Sequence, residues 1–403
     1  MAASVRSRLA RPLRGACAMP DYGGNSILNL MASVIRSRGG RSPHPELACL
    51  PARGLRSHRK VVYLVLDGLG ELQLREHLAA GRGCAFFARH PRDVLTSVFP
   101  ATTAAAVTTF ATGASPAEHA ILGWHLNLPD LGLVSTILPA ITRTRTPIAP
   151  PDFRLGAYLR LPRYIETARP SRHLLSWGHI PASRYSKAGP RWTQRRSYHS
   201  PGGLARAILA FARLPGRGLA YAYWPEYDSL CHGKGCASRA ASSHFLTLDT
   251  MLARLARRLA GTGTLLLVTA DHGLVDAPPD RRVDLRDVPG FLDCLATLPA
   301  GDARQVHCFV RPDMQRGFIT IVRHRLARAC RLIPGAVALR EGWFGPGRPH
   351  PALAGRCGDF LLIAREDYAF ATSLPGATPD FNAANHGGIS AREMLVPLYA
   401  IRS

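Results

Sequence analysis

Five short segments, far apart along the chain, carry side chains that bind divalent cations or attack an electrophile. Asp67-Gly68 ends the apolar run KVVYLVL, and Asp271-His272-Gly273 follows TLLLVT. Asp228-x-x-x-His232 lies in EYDSLCH, a spacing that lets an acid and an imidazole approach one cation from a single helical turn. Asn385-His386-Gly387-Gly388 offers a late imidazole followed by glycines that permit close backbone approach. The fifth segment, FPATTAAAVTTFATG over 99–113, puts Thr102 and Thr103 just after a proline and before an alanine-rich run of high helix propensity. A hydroxyl there stands at a helix N-terminus, where free N–H groups and the helix dipole favour an alkoxide or a bound phosphate. Either threonine can also simply cap the helix.

These residues need elements that bring them together. Lys60–Leu66 and Thr264–Thr269 are short, apolar on both faces and rich in β-branched and aliphatic residues, the pattern of buried parallel strands. Both end in an aspartate, so two central strands aim carboxylates at one sheet edge, where open α/β sheets bind their ligands. Leu204–Leu214 and Asp249–Leu259 have apolar positions at helical spacing. Residues 124–200 are less regular and read as an inserted, substrate-facing segment. Residues 301–380 read as a second insertion, with strands over Phe318–Val322 and Phe360–Ala364 and a short helix over Leu326–Arg331.

In order, the motifs resemble those of the alkaline phosphatase superfamily, and most closely its type I phosphodiesterase/nucleotide pyrophosphatase branch. The matching residues are Asp67, Thr103, Thr112-Gly113-x-x-Pro116-x-x-His119, Asp228 with His232, Asp271-His272-Gly273, and His386-Gly387. Together, in this order, the motifs are far more specific than any one of them. The resemblance implies an α/β fold with a central, mostly parallel sheet flanked by helices and carrying inserted segments. It also implies a hydrolase of phosphate esters, acting on phosphodiester or nucleotide pyrophosphate bonds through a phosphothreonine on Thr103. Thr103 is preferred to Thr102 because the family's nucleophile lies ten residues before the glycine of the Thr-Gly pair, here Gly113. Asp228, His232 and His386 are implied to hold one divalent ion and Asp67, Asp271 and His272 the other, with Thr103 reaching the second. His119 is read as structural.

Two such ions about 4 Å apart would lower the pKa of the threonine hydroxyl and clamp the phosphoryl oxygens. Mixed Asp/His ligation suits Zn2+, with Mn2+ an alternative. One position departs from the pattern. The asparagine that contacts phosphate in this branch, 21 residues after the nucleophile, is replaced by Trp124, so Trp124 and His125 are expected to line a substrate pocket. The alternatives are a phosphonoacetate hydrolase or phosphomonoesterase of the same superfamily, and a non-catalytic nucleic-acid-binding scaffold. Cys49-Leu50-Pro51-Ala52-Arg53 fits a sulfatase modification pattern, but it precedes the first metal strand and is read as chance.

Composition narrows the partners. The chain has 403 residues, is 46% hydrophobic and carries a net charge of +24. Its only lysines are Lys60, Lys187 and Lys234, and the arginines are spread throughout, which argues for a general arginine bias over a localised nucleic-acid patch. A basic surface favours a small anionic substrate. Nine cysteines without a paired CxxC framework point to reduced thiols and a cytoplasmic protein. No apolar run is long enough to span a membrane. Residues 1–18 are expected to be a spurious or targeting extension and 19–59 a lead-in, with the catalytic domain over 60–403.

Overall fold

The computed structural model describes residues 17–149, 153–374, 376–378 and 381–402. Residues 1–16, most of the expected extension, lie outside it. Up to residue 270 the described residues form nine strands: β1 (Lys60–Leu66), β2 (Asp93–Thr96), β3 (His125–Leu128), β4 (Leu133–Thr136), β5 (Ile141–Thr142), β6 (Ser171–Trp177), β7 (Gln194–Tyr198), β8 (Gly218–Trp224) and β9 (Thr264–Thr269). A central seven-stranded sheet runs β2, Leu395–Arg402, β9, β1, β8, β6, β7. From β9 to β7 every pairing is parallel, whereas Leu395–Arg402 is antiparallel to both β2 and β9. The mostly parallel α/β architecture expected from the strand pattern is therefore present.

All residues of β1, β8 and β9 are buried, as strands covered by helices must be. Helix Ile27–Ser37 packs on helix Thr103–Thr112, and helix Arg239–Leu259 packs on Pro201–Arg213 and Glu226–Lys234. Tyr63 of β1 clusters with Phe110 and Tyr221, each ring meeting the other two, which locks helix Thr103–Thr112 to the strands that precede Asp67 and Asp228. Of the helices read from periodicity, 249–259 falls within Arg239–Leu259, and 204–214 falls within Pro201–Arg213 except for Leu214, its C-cap.

A second seven-stranded sheet is wholly antiparallel, in the order Cys330–Pro334, Phe360–Ala364, Gln305–Cys308, Ala300–Asp302, β3, β4, β5. It joins residues 125–142 to 300–364, while β6 and β7 extend the central sheet. Two expectations fail here. Phe318–Val322 is helical, inside Gln315–Arg325, and Leu326–Arg331 leads into strand Cys330–Pro334. The β-branched run FITIV reads as a strand, but its fully buried members are Phe318 and Val322, four apart on one helical face.

Candidate metal centre

Asp67 follows β1 and Asp271 follows β9, neighbours in the sheet, so both carboxylates emerge at the same edge. Asp228 and His232 are four residues apart on helix Glu226–Lys234, which starts directly after β8. His386 comes from the chain after Ala384–Asn385, which pairs with Val275–Asp276 just beyond β9. Gly68 makes this convergence possible: its φ is +74°, and a Cβ there would lie 2.9 Å from the Asp228 Cβ and 2.7 Å from Leu274. Its N–H donates to Asp271 Oδ1 at 3.1 Å.

All seven expected residues meet at this edge. Asp67, Asp271 and His272 bring ligand atoms within 4.8 Å of one another, and so do Asp228, His272 and His386. His272 is thus common to two clusters, where the resemblance put His232 in the second. His232 stands beside that cluster, with Nε2 3.2 Å from Asp228 Oδ2 and its ring centroid 5.1 Å from that of His386. The donor set fits divalent cations. Asp67 Oδ1, Asp228 Oδ1, Asp271 Oδ2 and His386 Nδ1 are buried without a hydrogen-bond partner, an arrangement that strongly favours a bound cation.

Electrostatics agree. Burial, then the carboxylates of Asp271 and Asp228, push Asp67 well above the ordinary carboxylate range, and burial also raises Asp271. Asp228 goes the other way. Burial works against its charge, but His232 overrides it and holds the group below its usual value. Burial likewise opposes the His232 charge, yet Asp228 lifts His232 to about 9. Burial and the neighbouring imidazoles keep His386 neutral.

Thr103 is the first residue of helix Thr103–Thr112, with Thr102 as N-cap. The Thr103 hydroxyl lies 3.0 Å from His272 Nε2. His272 Nδ1 faces Gly273 O at 3.1 Å and His232 Nδ1 faces Ala384 O at 2.7 Å, contacts that turn both Nε2 atoms to the centre. His119 stays outside it, buried against Thr109 and the Ile121 N–H.

Trp124 and His125 line the cavity that opens from the centre. Trp124 is 38% exposed, and burial followed by the charge of Arg143 pushes His125 down to about 3. Two further residues escaped the sequence reading. The Tyr223 hydroxyl donates to Asp67 Oδ2. Asp302 accepts the Trp124 N–H at 3.1 Å, and burial pushes its carboxyl up to about 6. Tyr223 gives no sequence signal beyond its place near the C-terminal end of an apolar strand, and Asp302 gives none.

A family model described as type I phosphodiesterase / nucleotide pyrophosphatase matches residues 61–388. No curated protein matches the chain. Among solved structures, murine ectonucleotide pyrophosphatase / phosphodiesterase 5 superposes with a TM-score of 0.59 at 16% identity, covering 85% of this chain and 87% of that one. An inactive form of that murine protein, in complex with AMP, gives 0.60 at 16% identity over the same shares, 85% and 87%. Phosphonoacetate hydrolase from Sinorhizobium meliloti 1021, in complex with phosphonoformate, gives 0.61 at 18% identity over 86% of this chain and 91% of that one.

Proposed function

The chain belongs to the type I phosphodiesterase / nucleotide pyrophosphatase family, and on that footing we propose that it cleaves phosphodiester or nucleotide pyrophosphate bonds with Thr103 as nucleophile. The catalytic domain proposed is 60–403. The observation that carries the reading is the Thr103 hydroxyl, at a helix N-terminus and 3.0 Å from His272, beside three buried carboxylate oxygens that have no hydrogen-bond partner.

Asp67, Asp271 and His272 would hold one divalent cation, and Asp228, His232 and His386 the other, His272 being common to both clusters of ligand atoms. Zinc is the proposed metal and manganese the alternative, by donor type. Such ions supply neutralisation of the phosphoryl oxygens and activation of the attacking hydroxyl and of water. The chain's own groups do the rest. Thr103 Oγ1 gives up its proton to solvent and forms the bond to phosphorus, and the ester oxygen leaves with its electron pair. The first-turn N–H groups of helix Thr103–Thr112 face the developing negative charge. Tyr223 fixes one oxygen of Asp67 and leaves the other free to ligate. Water then cleaves the phosphothreonine and restores the hydroxyl.

Trp124, in place of the family's asparagine, favours a second reading in which a phosphonate or monoester is preferred. A panel for the metal-loaded protein separates the two: p-nitrophenyl phosphate, bis-p-nitrophenyl phosphate, a nucleotide p-nitrophenyl ester, phosphonoacetate and a sulfate ester. Preference for the diesters is the expected result. A preference for monoester or phosphonate would overturn the diester assignment, and turnover of none would overturn the whole reading. No helix among the described residues is long and apolar enough to cross a membrane. The compartment we propose is the cytoplasm, on the strength of nine unbridged cysteines, six of them buried.

A further inference from the structure

The metal centre opens into a cavity of about 1480 Å³. That is larger than most sites for a single small ligand, so most of the space is available to the rest of the substrate. The wall is unevenly charged. Its carboxylates, among the described residues, are Asp67, Asp228 and Asp302, two at the metal centre and one beside Trp124. Arginines 143, 145 and 184 line it as well.

Arg143 differs from the other two in its surroundings. It follows β5 in a turn closed by Arg145 N–H to Thr142 O at 3.0 Å and Thr142 N–H to Thr146 O at 2.7 Å, so its backbone is held. One terminal nitrogen donates to Thr372 O, which ties the turn to another stretch of the cavity wall. The other is buried and has no partner. Arg143 forms no ion pair with a carboxylate among the described residues, and burial alone pushes its pKa down. A largely desolvated guanidinium with a free donor and no counter-ion is costly unless something anionic completes it. Its planar fork suits a carboxylate or phosphate. Thr136 and the neutral His125, next along the wall, add polar groups without adding opposing charge.

We propose that this cavity selects phosphate esters that carry a second anionic group, a carboxylate or a further phosphate, which Arg143 binds while the scissile phosphorus sits at Thr103. The proposal rests on the hydrolytic reading above. The test uses three esters with one skeleton: bis-p-nitrophenyl phosphate, and analogues in which one nitro group is replaced by a carboxylate or by a phosphate. The wild-type protein turns over at least one charged analogue with kcat/KM about 10- to 100-fold above that of the nitro compound, the range of a charge-assisted hydrogen bond. The carboxylate and phosphate arms show which anion is read. Arg143→Gln collapses the preference to within about threefold through KM, and Arg143→Lys restores part of it. No preference in the wild type, or an equal loss on all three esters in Arg143→Gln, would overturn the proposal. If the wild type hydrolyses none of them, the hydrolytic reading fails, and calorimetric binding of the same compounds still decides the role of Arg143: a tenfold loss in Arg143→Gln supports it and an unchanged Kd refutes it.

Discussion

Neutralising one of two acids in the metal-free protein should change stability in opposite directions. Asp67 is buried beside Asp271 and Asp228 and held well above its usual range. Over the interval between its unfolded and folded pKa values the native state keeps a proton that the unfolded chain has released, so stability falls as pH rises through that interval. In Asp67→Asn the amide oxygen still accepts from Tyr223, and the NH2 can donate to a neighbouring carboxylate. The expected gain is about 1–3 kcal/mol. Asp228 instead supports protonated His232, lifted from 6.5 to about 9. That contribution is complete below pH 6.5 and lost as pH rises through about 9, leaving about 2 kcal/mol at pH 7.5. Asp228→Asn removes it. For 403 residues each kcal/mol moves Tm by about 1 °C. Calorimetry in a chelating buffer at pH 7.5 should therefore show Asp67→Asn melting about 1–3 °C above wild type and Asp228→Asn about 2 °C below. Adding metal at a hundred times its Kd should raise the wild type by about 3 °C and both variants by less. If Asp67→Asn melts below the wild type without metal, the argument from buried like charges is wrong.

Other outcomes test the centre and its support. Thr103→Ala should lower kcat at least about 10³-fold and abolish acid-stable phosphate labelling of the protein, whereas Thr102→Ala stays within about tenfold, as steady-state and trapping measurements will show. Tyr223→Phe removes the hydroxyl that fixes Asp67, and metal affinity from chelator competition should fall about 10- to 100-fold. Glu118 is buried, accepting from Ser115 N–H at 2.9 Å and Tyr164 OH at 2.7 Å and pairing with His44 Nε2 at 2.8 Å. Burial opposes its charge, but His44 and the other donors hold its pKa below 4.5, so its stabilisation is present above pH 4.5 and lost as pH falls through the lowered value. Glu118→Gln should cost about 3 kcal/mol at neutral pH and flatten the denaturant-measured stability profile below pH 4.5.

The candidate metal centre was legible because the residues it gathers sit where sequence signals are strongest. β1 and β9 are apolar on both faces and stop at an aspartate, and strand ends in a parallel sheet share an edge. What stayed hidden depended on pairing between distant segments. Asp302 reaches Trp124 because Gly301 pairs with His125 in the antiparallel sheet, and nothing local to either segment encodes that register. Tyr223 was hidden differently: in GLAYAYW an aromatic reads as core, and only the parallel register of β8 beside β1 puts its hydroxyl on Asp67. The helix over Gln315–Arg325 was missed because β-branched composition outweighed a two-residue helical stripe.

The two sheets contribute different parts of the candidate site. The candidate cation ligands and Thr103 belong to the central sheet and the connections at its edge, while Trp124, His125, Thr136, Arg143 and Asp302 belong to the antiparallel sheet and its adjoining turn. The two sets meet at Asp302, which lies against Gly387 beside His386, so change in β4, β5 and the turn after them bears least on the candidate ligands. On the proposed function, rewriting β4, β5 and the turn after them would change which substrate is read while leaving the proposed bond-breaking residues in place. The same separation makes that stretch the place for an engineer to exchange sequence between relatives.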